Sequence, residues 1–129
     1  MIAKTARMFM IAGTLALTVG GALPASANDA DVIRQGSCSG RSDWKLKLSP
    51  DNGRIEVEFE VDSNVNGQTW HVRILQNGER IFSGNRVTQA PSGSFDVRKL
   101  ANNTAGTDRF RARAVNGATG ETCAGAASI

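Results

Sequence analysis

His71 is the only histidine in a chain of 129 residues. A histidine base for acyl transfer needs a hydroxyl or thiol nucleophile and an acid to orient its ring. No spacing in this sequence selects either partner, so His71 reads as a surface residue beside Trp70. Glu56, Glu58 and Glu60 recur at every second position. On a strand, alternate residues lie about 6.5–7 Å apart on one face, which is the separation of an inverting glycosidase pair. Lys45 and Lys47 alternate in the same way one segment earlier, and cross-strand charge pairing accounts for both rows. A sugar site would also want an aromatic platform, and Trp44 and Trp70 both read as core. The stretch Asp62-Ser63-Asn64-Val65-Asn66-Gly67 matches the first half of a calcium loop, with Gln68 next in line to offer a carbonyl. Its twelfth position is Arg73 where a bidentate Glu is required, so a plain Asn-Gly connection is expected, with no tight metal site. No catalytic motif emerges, and no cofactor is expected.

These side chains must be positioned by strands. Period-two alternation recurs and helical periodicity is absent beyond the N-terminal region. Trp44, Leu46 and Leu48 alternate with Lys45 and Lys47. Ile55, Val57, Phe59 and Val61 alternate with the glutamates. Trp70, Val72 and Ile74 alternate with His71, Arg73 and Leu75. Phe95 and Val97 alternate with Asp96 and Arg98, and Phe110, Ala112 and Ala114 with Arg109, Arg111 and Arg113. Each run offers one apolar and one wet face, as an antiparallel sheet requires. Asp51-Asn52-Gly53, Asn66-Gly67, Asn77-Gly78, Ser92-Gly93 and Asn116-Gly117 supply turn residues between them, with Asn77-Gly78 expected as a two-residue hairpin turn. Pro91 closes the segment 79–90, which reads as an edge strand or loop. Short strands at this spacing predict a sandwich or barrel.

The N-terminus gives an address. Lys4 and Arg7 precede an apolar run from Met8 to Val19, and Gly20, Gly21 and Pro24 lead to Ala25-Ser26-Ala27. That is the pattern of a secretory signal peptide over 1–27, with a run too short for a membrane anchor. The mature chain is expected to start at Asn28, to form one domain over 28–129, and to be secreted without a membrane anchor. Of 15 basic and 12 acidic residues, Lys4 and Arg7 leave with the leader. The mature protein is then close to neutral, which argues against nucleic acid as a partner on net charge alone. Cys38 and Cys123 are the only cysteines. In an exported protein the expectation is a disulfide between them.

Part of the chain resembles an immunoglobulin-like domain. Asn66-Gly67-Gln68-Thr69-Trp70 through Asn77-Gly78 is similar to the central tryptophan strand of that fold and its following turn. Ser94-Phe95-Asp96-Val97 resembles the next inward-alternating strand. The stretch Asp108-Arg109-Phe110-Arg111-Ala112-Arg113-Ala114-Val115-Asn116 resembles the strand carrying an Asp-x-Tyr-x-Cys-x-Ala-x-Asn pattern. The likeness covers most of residues 54–123. Ala112 stands at the cysteine position, with Phe59 or Val57 at its partner, so the inter-sheet disulfide of that fold is absent. Phe110 replaces the tyrosine. The resemblance implies an all-β, immunoglobulin-like antiparallel sandwich of about 7–8 strands, with Cys38 and Cys123 joining its first and last strands. The mature chain as a whole also resembles small secreted actinobacterial proteins of no assigned activity, which implies export.

In that topology the strand bearing Arg109, Arg111 and Arg113 neighbours the one bearing His71 and Arg73. One outer face then carries Arg73, Arg109, Arg111 and Arg113 with no acid. The other balances Lys45, Lys47, Arg54 and Arg98 against Glu56, Glu58, Glu60 and Asp96. Two readings of the basic face stand: a solvated surface whose charges discourage edge pairing, or a site attracting an anionic surface such as teichoic acid, acidic polysaccharide or nucleic acid, with an anionic cell-envelope polymer or a protein as the favoured partner. The functional expectation is a secreted, non-enzymatic binding module. The alternative is a protease inhibitor presenting Arg86-Val87-Thr88-Gln89-Ala90-Pro91 as an exposed loop. A hydrolase is the least favoured class.

Overall fold

The computed structural model describes residues 30–129. The expected leader and the expected start at Asn28 lie outside the described residues. Eight strands follow one another: β1 (Val32–Ser37), β2 (Asp43–Asp51), β3 (Arg54–Asp62), β4 (Thr69–Gln76), β5 (Glu79–Val87), β6 (Ser94–Asn102), β7 (Arg109–Asn116) and β8 (Thr122–Ser128). They pair antiparallel in two four-stranded sheets, ordered β1-β2-β3-β6 and β5-β4-β7-β8. No helix occurs among the described residues. All five alternating runs of the sequence lie inside strands, and the edge-strand reading of 79–90 holds for β5.

The alternation becomes burial. Leu46, Leu48, Ile55, Val57, Phe59 and Val61 of the first sheet are fully or almost fully buried, as are Trp70, Val72, Ile74, Phe110, Ala112 and Ala114 of the second. The Trp70 and Phe95 rings meet between the sheets with centroids 6.3 Å apart, tilted by 52°, within the range favoured by aromatic pairs. Asn77 (φ 51°) and Gly78 (φ 84°) form the two-residue turn between β4 and β5. Both positions need positive φ, which suits the twist of the hairpin. In the last hairpin the left-handed residue is Gly120, not Gly117. Asn116 is buried there, and its Oδ1 accepts the Ala118 and Thr119 amides at 2.8 and 3.1 Å.

The two sheets meet along both margins: β5 contacts β6, and β1 and β2 contact β8. The second margin is held by a Cys38–Cys123 disulfide with Cα atoms 4.3 Å apart. Cys38 lies just past the end of β1, and Cys123 is fully buried in β8. Trp44 closes the same margin. The expectation of a core residue is corrected here: its indole is half-buried, because it lies at the seam between Gly36 and Gly125 where the layers end. A Cβ built at Gly125 would sit 2.7 Å from Trp44 Cε3. Gly125→Ala is therefore expected to cost about 1–3 kcal/mol by displacing the ring, read by chemical denaturation. Unchanged stability would show that the indole swings clear.

Candidate anion-binding face

The inward set of the second sheet fixes its outward set. With Trp70, Val72 and Ile74 buried, His71, Arg73 and Leu75 face out of β4; with Phe110, Ala112 and Ala114 buried, Arg109, Arg111 and Arg113 face out of β7. The two strands are direct neighbours. Arg73 stands opposite Arg113, and Leu75 opposite Arg111. The structure thus brings together all four arginines expected from the sequence. A fifth, Arg80, was not singled out there. It faces Leu75 from β5, and the two-residue Asn77-Gly78 turn already carries that information, since it pairs positions 75 and 80. A register shift follows beyond Leu75, so Ser83 stands opposite Arg73 and Asn85 opposite His71. The His71 Nδ1 lies 3.1 Å from Asn85 Oδ1.

No Asp or Glu falls on this outward alternation. Glu79, the acid of β5, pairs with inward-facing Gln76 at the turn. None of Arg73, Arg80, Arg109, Arg111 and Arg113 makes an ion pair among the described residues. The first sheet is the opposite case. Lys45 pairs with Glu60 at 3.7 Å, Lys47 with Glu58 at 3.8 Å, and Arg98 with Glu56, Glu58 and Asp96 at 3.5, 3.0 and 3.1 Å. The three glutamates are therefore engaged by cations across the strands. Glu58 beside Arg98 raises the arginine's pKa further above its ordinary value, with the Asp96 hydrogen bond adding to it. Exposed pairs of this kind add little stability, but they cancel the charge of that face. The outer face of the β5-β4-β7-β8 sheet is left with five cations and no acid.

The basic face is also shaped. A depression of about 650 Å³ is lined by Arg73, Arg80, Arg111 and Arg113 together with Leu75 and the small residues of β8. Like charges directly opposite one another in a sheet are destabilising. The Arg73–Arg113 pairing is such an arrangement, and a bound anion would relieve it.

The end of the face is set by a residue that the sequence placed at the head of the Asp-x-Tyr-x-Cys-like stretch but gave no role. Asp108 is fully buried at the start of β7. Its carboxylate accepts from Gln76 Nε2 at 2.9 Å, Asn77 Nδ2 at 3.1 Å, the Thr104 amide at 3.1 Å and the Thr104 hydroxyl. Burial alone would raise its pKa, but these hydrogen bonds together hold it below the ordinary carboxylate value. Its backbone exchanges two hydrogen bonds with Ile129, and the next amide, Arg109 N, donates to Asn77 Oδ1 at 2.9 Å. The signal available in the sequence was an acid directly before an apolar alternating run.

The other candidate positions have local roles. Asp62 Oδ1 accepts the Asn64 amide at 3.0 Å, a turn contact, and no cluster of three or more His, Cys, Asp or Glu side chains suited to a metal occurs among the described residues. Arg86 and Val87 belong to β5, with the Arg86 guanidinium 5.0 Å above the Phe82 ring. Thr88 is buried: its hydroxyl donates to Val65 O at 2.6 Å and accepts the Gln68 amide at 2.8 Å. Gln89 bridges to Ser94, leaving Ala90 and Pro91 at the turn. Comparison with protein-family models, with curated proteins and with solved structures finds no match. What can be stated of the class is an all-β protein of two antiparallel sheets. Its one disulfide points to a compartment outside the reducing cytoplasm, and no helix among the described residues is long and apolar enough to cross a membrane.

Proposed function

We propose that this protein is a secreted, immunoglobulin-like sandwich that works by binding, without catalysis, and that its ligand is an anionic cell-envelope polymer held by the outer face of the β5-β4-β7-β8 sheet. The strand order supports the immunoglobulin-like assignment. Leaving out β1, a three-stranded β2-β3-β6 sheet packs on β5-β4-β7-β8, which follows the division of such domains into an A-B-E sheet and a C-C′-F-G sheet. The observation that carries the ligand class is the set of five outward arginines with no acidic partner, facing away from a sheet whose three alternating glutamates are paired with cations. Arginine suits phosphate and carboxylate groups because its planar fork donates to two oxygens at once.

The inhibitor reading is weaker, because residues 86–89 are tied into a strand and a bridge instead of projecting. The hydrolase reading is weaker still, because Glu56 and Glu58 are held by Lys47 and Arg98, and His71 faces an amide.

The test is retention on purified cell-envelope polymer as salt is raised. Wild-type binding is expected to fall steeply between 50 and 200 mM salt, on the order of tenfold or more. An Arg111→Glu, Arg113→Glu double variant with an unchanged melting temperature is expected to lose binding. Replacing Glu56 and Glu58 by Gln is expected to leave it intact. Equal retention of the arginine variant and the wild type would reduce the face to a solvated sheet surface.

A further inference from the structure

The register between β7 and β8 narrows the ligand, given that the basic face is the binding site. Arg109, Arg111 and Arg113 stand opposite Ser128, Ala126 and Ala124 in turn. A long cation thus meets a small side chain three times in succession on the outer face. The arginines form a rail, and β8 forms a lower shelf beside it. The depression of about 650 Å³ continues into a second of about 400 Å³, and the two share Gly78, Arg111 and Ala126. Arg113 lines the first and Arg109 the second, so the two adjoining depressions follow the strand direction and are taken together as one trough. Arg73 stands behind the rail beside Arg113, and Arg80 lies across Leu75 from Arg111.

The rail has a fixed repeat. Neighbouring arginines are two residues apart, so their Cα atoms are separated by six backbone bonds, about 6.6–7 Å in a strand. A ligand that uses all three needs negative charges at a matching repeat. A phosphodiester chain with three-carbon linkers also has six bonds from one phosphorus to the next, and extended it covers about the same length. Nucleic acid backbones share this bond count. They are disfavoured because this outer face carries no Phe or Trp ring on which bases can stack: Trp70, Phe82 and Phe110 all pack toward the core.

We infer that the trough along β8 is a subsite for an extended poly(glycerol phosphate)-type chain, with successive phosphates meeting Arg109, Arg111 and Arg113. Arg73 reinforces the Arg113 position. The shelf of Ala124 and Ala126 lets the chain lie close to the sheet, and Leu75 gives the arginine stems an apolar floor.

The experiment is a calorimetric titration of the full secreted protein with glycerol-phosphate oligomers of one to five phosphates. Affinity is expected to rise roughly tenfold with each phosphate up to three and then to level off, as successive contacts become intramolecular. Ala126→Leu, which fills the shelf without changing charge, is expected to weaken the trimer at least tenfold; Ala124→Leu serves the same purpose should the first variant lose its cooperative melt. Inorganic polyphosphate, whose charges are much closer together, and polygalacturonate are expected to bind more weakly at equal charge. The inference is overturned by equal affinity for these polymers, by tighter binding of oligodeoxythymidine, or by indifference to both leucine variants. If polymers bind in a manner lost in the Arg111→Glu, Arg113→Glu variant but show no length step and no leucine effect, the trough fails while the basic face stands. If no anionic polymer binds, both fail.

Discussion

Reduction of the Cys38–Cys123 bond is expected to lower the melting temperature by about 10–25 °C while leaving the strand-rich far-ultraviolet spectrum of the folded protein unchanged. The bond joins residues 85 apart in sequence. Closing a loop of that length restricts the unfolded chain, worth roughly 4–5 kcal/mol on the chain-entropy account and about 2–4 kcal/mol in typical practice. Each kcal/mol moves the midpoint of a domain of this size by about 4–8 °C. The folded state feels the loss locally as well. The bond holds the margin where β1 and β2 of one sheet meet β8 of the other, beside the half-buried Trp44. Amide exchange in β1 and β8 should therefore quicken before the rest of the sandwich opens. A Cys38→Ala, Cys123→Ala variant is expected to reproduce both effects without reductant. A midpoint within about 2 °C of the oxidised protein would mean that packing alone holds the seam.

Replacement of Asp108 is expected to be the most damaging single change on the polar side of the fold. Asp108→Ala removes the acceptor for four hydrogen bonds, stranding a donor on buried Gln76 and opening the part-buried bonds from Asn77 and Thr104. Hydrogen bonds to a charged group are worth about 1.5–3 kcal/mol each, and the deserted Gln76 donor adds its desolvation cost. A total loss of about 3–5 kcal/mol follows, since neighbouring contributions do not add in full. Asp108→Asn keeps the shape but turns half the acceptor into a donor, and is expected to cost about 2–3 kcal/mol at pH 7. The pH dependence has a definite sign. Because the folded state holds the Asp108 pKa below its ordinary value, this stabilisation is fully present above the unfolded carboxylate pKa and is lost as pH falls through the folded one. The gap between wild type and Asp108→Asn should therefore be constant from pH 5 to 8 and shrink below about pH 4. A gap that persists unchanged to pH 2 would assign the cost to geometry and not to charge. Since Asp108 also fixes the turn at Asn77 and the start of β7, its loss should weaken anion binding at the Arg109 end more than at Arg113.

Much of this was legible in the residues, because a strand's period of two is a local property. Alternation at Leu46-Leu48, Ile55-Val61, Trp70-Ile74 and Phe110-Ala114 told inside from outside before any pairing was known. The Asn-Gly turn set the β4–β5 register, and with it the position of Arg80. β1 was harder to see, because Val32–Ser37 has one apolar residue facing inward at its start and a glycine where another would stand. β8 was harder still: Thr122–Ser128 is a run of small residues, and its inward side is Cys123, Gly125 and Ala127, which lack the bulk that makes alternation visible. The role of Asp108, though the residue heads the matched strand pattern, was hidden for a different reason. Its partners Gln76, Asn77 and Thr104 come from two other segments, and no local pattern announces a hydrogen-bond network assembled from three parts of a chain.

The sequence by itself determined that the protein is all-β, where five of its strands lie, which side of each is wet, and that two cysteines near the ends are the natural staple. It also placed three arginines on one side of one strand. Only the tertiary structure decided what those arginines face. Strand order is a matter of long-range pairing. It set Arg73 against Arg113, placed Ala124, Ala126 and Ser128 beside the arginine row, and sent every glutamate of the alternating row to the other sheet. Whether a charge is compensated depends on neighbours tens of residues away, and that is a property of packing which local periodicity does not contain.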